Sequence, residues 1–241
     1  MRTVVGALVA IAALTAPGGA LAFEVRPEAS ARGWFFGVDG EIEDTDLDAL
    51  DFDSPEGQPE FHGGATLGGR HHLDVSYLLI RRSERGTATA VVLGVIAMDQ
   101  EVSIDLDVDY LRWHYGYSLF ANRWIDLQPF LEIGYLREET DIRNEDTGDS
   151  SHQEDSAVFP LPGAEVIVAP SWPVRLRGRA TGIGTGQGHL IDVEGGLEAG
   201  YGYVFGGVGY RHIDFRVDDD GGDEVADLTL DGVYIEGGIR F

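Results

Sequence analysis

From residue 33 onward, apolar and polar residues alternate with a period of two, the spacing that sends successive side chains to opposite faces of a β-strand. Polar or Gly-rich breaks divide the pattern into ten candidate strands: 33–42, 59–67, 72–82, 101–119, 124–139, 158–169, 174–183, 189–201, 204–217 and a last one ending at Phe241. In the first, Trp34, Phe36, Val38 and Ile42 share a face opposite Asp39 and Glu41, which predicts the two aromatics for an apolar outer belt. The third sets Leu73, Val75, Tyr77 and Leu79 against Asp74 and Ser76. The fourth carries Val102, Ile104, Leu106 and Val108 on one parity and Leu111, Trp113, Tyr115 and Tyr117 on the other. One inserted residue would shift the phase in this way, so the pattern predicts a β-bulge near Tyr110.

No later apolar run approaches the ~20 residues a spanning helix requires. In a bilayer only a helix or a closed barrel satisfies its own backbone hydrogen bonds. The expected fold is therefore all-β, an antiparallel transmembrane barrel of about ten strands, with eight as the alternative because 59–67 is thinly patterned. An even number returns both chain ends to one side. The breaks near Gly68, Ala121, Ser171 and Gly202 are short, whereas 43–58, 83–100, 140–157 and 218–226 are long. That asymmetry fits short turns on one side of a membrane and long external loops on the other. Within the second long break, 88–98 is apolar enough for a further β segment outside the membrane.

The two ends sharpen the picture. Arg2 precedes the apolar stretch 4–14, Pro17, Gly18 and Gly19 follow it, and Ala20-Leu21-Ala22 supplies a small-x-small cleavage site. Residues 1–22 are thus expected to be a secretory signal peptide, with a barrel domain over 23–241. Cys is absent, which excludes a lipid-anchored lipoprotein and a disulfide framework. The last strand alternates through Val233, Ile235, Gly237 and Ile239 to a terminal Phe241. An export signal, amphipathic strands and a C-terminal aromatic together resemble the small, OmpA-like outer-membrane β-barrel proteins of Gram-negative bacteria. The resemblance implies a monomer in the cell outer membrane, reached after export through the inner membrane. It also implies contact with outer-membrane lipid and lipopolysaccharide, and an assembly signal at Ile239 and Phe241 read by the barrel-assembly machinery.

Charge narrows the function classes. Forty-two acidic residues against 17 basic ones, all arginine, give a net charge of −25, the wrong sign for binding nucleic-acid phosphates. Arg175, Arg177 and Arg179 share one face of the seventh strand, and Asp192, Glu194 and Glu198 share one face of the eighth. Hairpin neighbours would set this Arg ladder against the carboxylate ladder inside the barrel. Opposite charges across strands stabilise a sheet by roughly 0.2–1 kcal/mol per pair. The ladder reads as a plug of paired charges filling a small lumen, or alternatively as the eyelet of a narrow cation-preferring channel.

Three acidic clusters fall in the long loops: 43–56, 138–155 and 218–227. Asp44, Asp46 and Asp48 imitate the start of an EF-hand, but Ala49 stands where the loop needs Gly and Pro55 where it needs the bidentate Glu. Weak divalent cations at the loops are the most that this pattern supports; no metal centre and no cofactor is expected. Some outer-membrane barrels are hydrolases, and His212-x-Asp214 is the nearest match to their rim residues. Its order is reversed, and no carboxylate pair accompanies it. His71 and His72 fall on the inner turn, and His114 and Ser118 lie ~13 Å apart along one strand. The expected role is non-catalytic, structural or surface-interacting, with acidic external loops.

Overall fold

A computed structural model describes residues 24–42, 45–46, 56–88, 100–185, 188–218 and 224–241. The expected signal peptide, the acidic stretches 47–55 and 219–223, and most of 88–98 lie outside the described residues. Ten long strands carry the fold: β1 (Val25–Ile42), β2 (Glu56–Leu67), β3 (His71–Ala88), β4 (Gln100–Tyr117), β5 (Ile125–Asn144), β6 (Ser150–Val168), β7 (Val174–Thr185), β8 (Gly188–Tyr201), β9 (Val204–Asp218) and β10 (Glu224–Arg240). Two-residue bridges at Thr45–Asp46 and Phe120–Ala121 flank them. Each strand pairs antiparallel with its sequence neighbours, and β1 closes on β10 from Glu28↔Arg240 to Ile42↔Ala226. The result is a closed ten-stranded antiparallel barrel, so the eight-stranded alternative falls.

Both described chain ends sit at one mouth, with the turns at 68–70, 118–124, 169–173 and 202–203; we call this the inner end. These turns are tight because Gly68, Gly69 and Gly202 take φ of 58°, 70° and 63°, which only glycine adopts without strain. At the opposite, outer end the strands run further than the sequence pattern implies. β5 has 20 residues and β6 has 19, about twice the 9–11 that a membrane crossing needs. Residues 140–157 are accordingly a strand hairpin turning at 145–149, not a loop.

The wall inverts its chemistry along its height. Near the inner end Leu73, Val75, Trp113, Tyr115, Leu131, Ile133, Val193, Leu197, Val233, Ile235 and Ile239 all point outward and are exposed. Along β10 this belt runs from Phe241 to Val233, about 26 Å of strand at ~3.3 Å per residue. Trp124 and Trp172 meet at its inner edge with ring centroids 5.5 Å apart, and Tyr203 meets Phe241 at 5.3 Å. At its outer edge the Tyr77 hydroxyl donates to Asp109 and that of Tyr210 to Asp231. Beyond that edge the outward residues are Asp105, Asp107, Glu139, Asp141 and Glu154, and the apolar residues turn inward instead.

This inversion overturns two expectations. The pairing of β4 with β3 and β5 runs through Leu78↔Tyr110 and Tyr110↔Leu136 without a register shift, so there is no bulge at Tyr110. Val102 and Ile104 point inward at the outer end, Trp113 and Tyr115 point outward at the inner end, and the strand never changes phase. The apolar face moves because apolar residues line the inside of the barrel at the outer end and its outside at the inner end. Trp34 and Phe36 are likewise not belt residues. Both are fully buried in the lumen, and Phe35 faces outward. The outward face of β1 there is Ala31, Gly33, Phe35 and Gly37, a single large residue among small ones, which does not betray its phase.

Trp34 and Phe36 lead an apolar cluster inside the outer half of the barrel, with Val38, Leu78, Ile80, Val102, Ile104, Tyr110, Ile142, Ile213 and Tyr234. The Tyr234 ring packs against Gly209, where a Cβ would stand 2.4 Å from it. We expect Trp34→Ala to destabilise the barrel by ~3–5 kcal/mol, the cost of emptying a large buried aromatic site. Phe35→Ala, one residue away on the outer face, should cost much less. Denaturant unfolding of both variants in detergent tests the inward phase of β1.

Candidate functional site: the lumen and its charges

Below the apolar cluster, towards the inner end, the lumen is filled by charged side chains. Glu60 on β2 is fully buried and receives three guanidiniums: Arg32 and Arg211 at 3.4 Å each, and Arg112 in closer contact. Arg211 also grips Asp192 through two hydrogen bonds, Nε to Oδ1 at 2.9 Å and Nη2 to Oδ2 at 2.7 Å. Arg32 reaches Glu194 at 2.7 Å and Glu236 at 3.3 Å. Arg112 donates to Ser76 at 2.9 Å. Charges inside a wall are tolerable only when paired and hydrogen-bonded, and here each guanidinium has more than one partner.

The same three guanidiniums stack under the aromatic layer. Arg32 lies 3.9 Å from the Tyr234 ring centre, Arg211 4.8 Å from Trp34 and Arg112 5.3 Å from Tyr110. Cation–π contacts of this kind contribute roughly 0.5–2 kcal/mol each. Charged layer and apolar layer thus share a common boundary.

The expected ladders do face the lumen, in a different pairing. Register sets Arg179 opposite Glu194, Arg175 opposite Glu198, and Arg177 opposite Gly196. Arg175 and Glu198 form an ion pair at 2.8 Å, and Arg240 joins Glu198 at 2.9 Å. Arg177 instead crosses to Glu165 on β6 at 2.8 Å, and Arg179 reaches past β6 to Glu132 on β5. Asp192 belongs to Arg211 and Arg112, and Glu194 to Arg32. In a narrow closed barrel the side chains converge across the axis, so a partner two or more strands away is as near as the adjacent strand. Arg32, Glu60, Arg112 and Arg211 carry the centre of the network and are absent from the sequence-based ladder. A signal existed: each stands between outward residues on a strand, and a charge there cannot face lipid.

Between the charged layer and the inner mouth lies a polar cavity of about 320 Å³, lined in part by His62, His72, His114, Asp74, Arg175 and Arg240. His72 on β3 and Ser118, just past the end of β4, are 2.9 Å apart, a pairing that spacing along one strand does not reveal. Ser118 donates its proton to Asp126 at 3.1 Å, and Thr66 sits 3.2 Å from the other imidazole nitrogen. A consistent proton arrangement runs from Thr66 to His72, from His72 to Ser118 and from Ser118 to Asp126. The serine proton then points at a carboxylate rather than at the imidazole, which is the wrong direction for a nucleophile activated by histidine. Asp214 is bonded to His189 at 2.8 Å, not to His212.

On the outer surface above the belt, Glu139, Asp141 and His152 offer ligand atoms within 4.8 Å of one another. Asp105 opposes Asp141 and Asp107 opposes Glu139. His152 already bonds to Asp141 at 2.8 Å, and that bond raises the imidazole pKa above its ordinary value. A cation would have to displace this proton, so the cluster carries no metal assignment.

No family model matches the chain, and no curated protein matches it. Among solved structures, the attachment invasion locus protein Ail of Yersinia pestis is similar over 90% of this chain and 99% of its own, with a TM-score of 0.39 and 10% identity. Neisserial surface protein A is similar over 90% and 97%, with a TM-score of 0.37 and 10% identity. The toluene transporter TodX of Pseudomonas putida is similar over 92% and 90%, with a TM-score of 0.34 and 9% identity. At such scores and identities these likenesses say nothing of activity, and the barrel rests on its own strand pairing.

Glu60→Gln removes a carboxylate shared by three buried guanidiniums, and we expect a loss of ~3–5 kcal/mol. Glu154→Gln, at the exposed Arg137 pair on the outer surface, should cost under ~1 kcal/mol. Urea midpoints of the two variants, compared in one detergent, test the difference.

Proposed function

We propose that this protein is a non-catalytic outer-membrane β-barrel with a closed lumen, whose acidic outer part serves surface interactions. The apolar belt with aromatic residues at both edges supports the membrane placement. The observation that carries the closed lumen is the apolar cluster stacked on the ion-paired layer. Together they set a layer of buried aromatic and aliphatic side chains between the 320 Å³ inner cavity and the outer end. That arrangement disfavours the narrow cation-preferring channel. The proton arrangement at Ser118 and His72 disfavours a hydrolase. Partners of this reading are membrane lipid at the belt and lipopolysaccharide around the acidic outer wall. Planar-bilayer recording of the purified protein is expected to show no steady conductance. Large, regular steps would overturn the reading in favour of the channel.

The reading includes recognition of the last strand by the barrel-assembly machinery. Val233, Ile235, Gly237, Ile239 and Phe241 all point outward and are exposed, and Phe241 packs against Tyr203. Deleting Phe241 is expected to reduce the heat-modifiable barrel recovered from membranes several-fold. Undiminished recovery would remove Phe241 from that role.

A further inference from the structure

Among the described residues, the junction of β6 with β7 has a long unpaired seam. β6 pairs with β7 only from Gly163↔Thr181 to Val168↔Leu176, although β6 continues to Ser150. On its other side β6 stays paired with β5 up to Arg143↔Ser150. Two prolines open the break, and β7 ends at Thr185, which in the same register would reach only as far as residue 159 of β6. Thr181 donates its hydroxyl to the Pro162 carbonyl at 3.0 Å, which fixes the even-numbered residues of β6 as those turned towards β7. The Ala169 amide, an odd position, donates to Trp124 on the β5 side at 2.7 Å. Pro160 and Pro162 therefore remove N–H groups from the β7-facing edge alone and leave the β5 ladder intact. Proline is found in strands where its nitrogen faces an open edge.

Above the belt, the seam presents the backbone N–H and C=O of His152, Glu154 and Ser156 without a strand partner among the described residues. Residues 152–158 are exposed whichever way their side chains point, whereas Ile142 and Asn144 on β5 are buried. The edge from 150 to 157 is about 23 Å long at ~3.3 Å per residue. An unpaired edge of this kind is a template for one more strand.

We infer that this edge of β6 docks an extended basic peptide, which adds a strand to the sheet. Charge selects the occupant. Stretch 137–157 holds eight carboxylates against two arginines, and Asp155 and Glu154 on the edge strand are exposed. A second copy of this chain, at a net charge of −25, would bring like charges together on pairing. In an added strand, alternate arginines would repeat at ~6.6 Å along one face and could meet Glu154 and its neighbours. The inference rests on the surface-interaction reading and names its partner class; its test does not depend on whether the lumen conducts.

The test is fluorescence anisotropy of the full barrel in detergent micelles, with a labelled eight-residue peptide alternating arginine and threonine as probe. Saturable binding is expected, together with at least tenfold weaker binding for the same peptide carrying two central prolines. Ser156→Pro deletes an edge donor without touching the β5 ladder and should weaken binding at least tenfold. Ser156→Thr should bind like the parent. Retained heat modifiability of Ser156→Pro would show that the barrel is intact. Equal binding of the straight and proline-interrupted peptides would overturn the inference, since attraction would then need no strand addition. Concentration-dependent dimers abolished by Ser156→Pro, with no peptide binding, would also overturn it and assign the edge to a second copy.

Discussion

Three guanidiniums, those of Arg32, Arg112 and Arg211, hold the interior of this barrel together. Each is paired with carboxylates on one side and lies against an aromatic ring on the other. A guanidinium suits that position because its edge donates in-plane hydrogen bonds while its face is weakly hydrated. An ammonium group cannot do both, which gives physical sense to a lumen whose cations are all arginine. The boundary also fixes where the barrel changes character. On the lipid side of that boundary the wall is apolar outside and polar inside; beyond it the wall is polar outside and apolar inside.

Much of the architecture was legible in the sequence because a strand exposes its environment every second residue. The run of strands, their order and the short inner turns follow from alternation and from polar or Gly-rich breaks, whereas the choice of ten strands over eight needed the pairing of 56–67. Alternation alone does not say which parity faces inward. That ambiguity is harmless where one face is plainly lipid-facing, as in Leu131, Ile133 and Tyr135. It misleads at Trp34 and Phe36, where the outer face is built from Ala31, Gly33 and Gly37 and the larger residues are inside. The phase change read near Tyr110 has the same origin: periodicity records apolar surroundings, and here those lie first in the core and then in the bilayer.

The candidate site was legible by composition and obscure by partnership. Arg175, Arg177, Arg179, Asp192, Glu194 and Glu198 all point into the lumen, as their faces imply. Their partners are set by the adjacent strands β6 and β9 and by the closed curvature of the wall, which brings β1, β4, β5 and β10 within reach of β7 and β8. No spacing along one hairpin encodes that. The Ser118–His72 contact is of the same kind, made between β3 and the turn that follows β4, whose relative register only the pairing fixes.

The short junction between β6 and β7 has a mechanical consequence. Six residue pairs join these strands, whereas β1 and β10 are joined from Glu28 to Ile42 along nearly their whole length. A sheet curved into a cylinder carries circumferential load through every inter-strand seam in series, so the seam with fewest hydrogen bonds yields first. Sideways tension on the wall therefore opens it first between Gly163 and Val168. The cylinder behaves as a clasp hinged at its chain ends, with its weakest fastening about half-way round the wall.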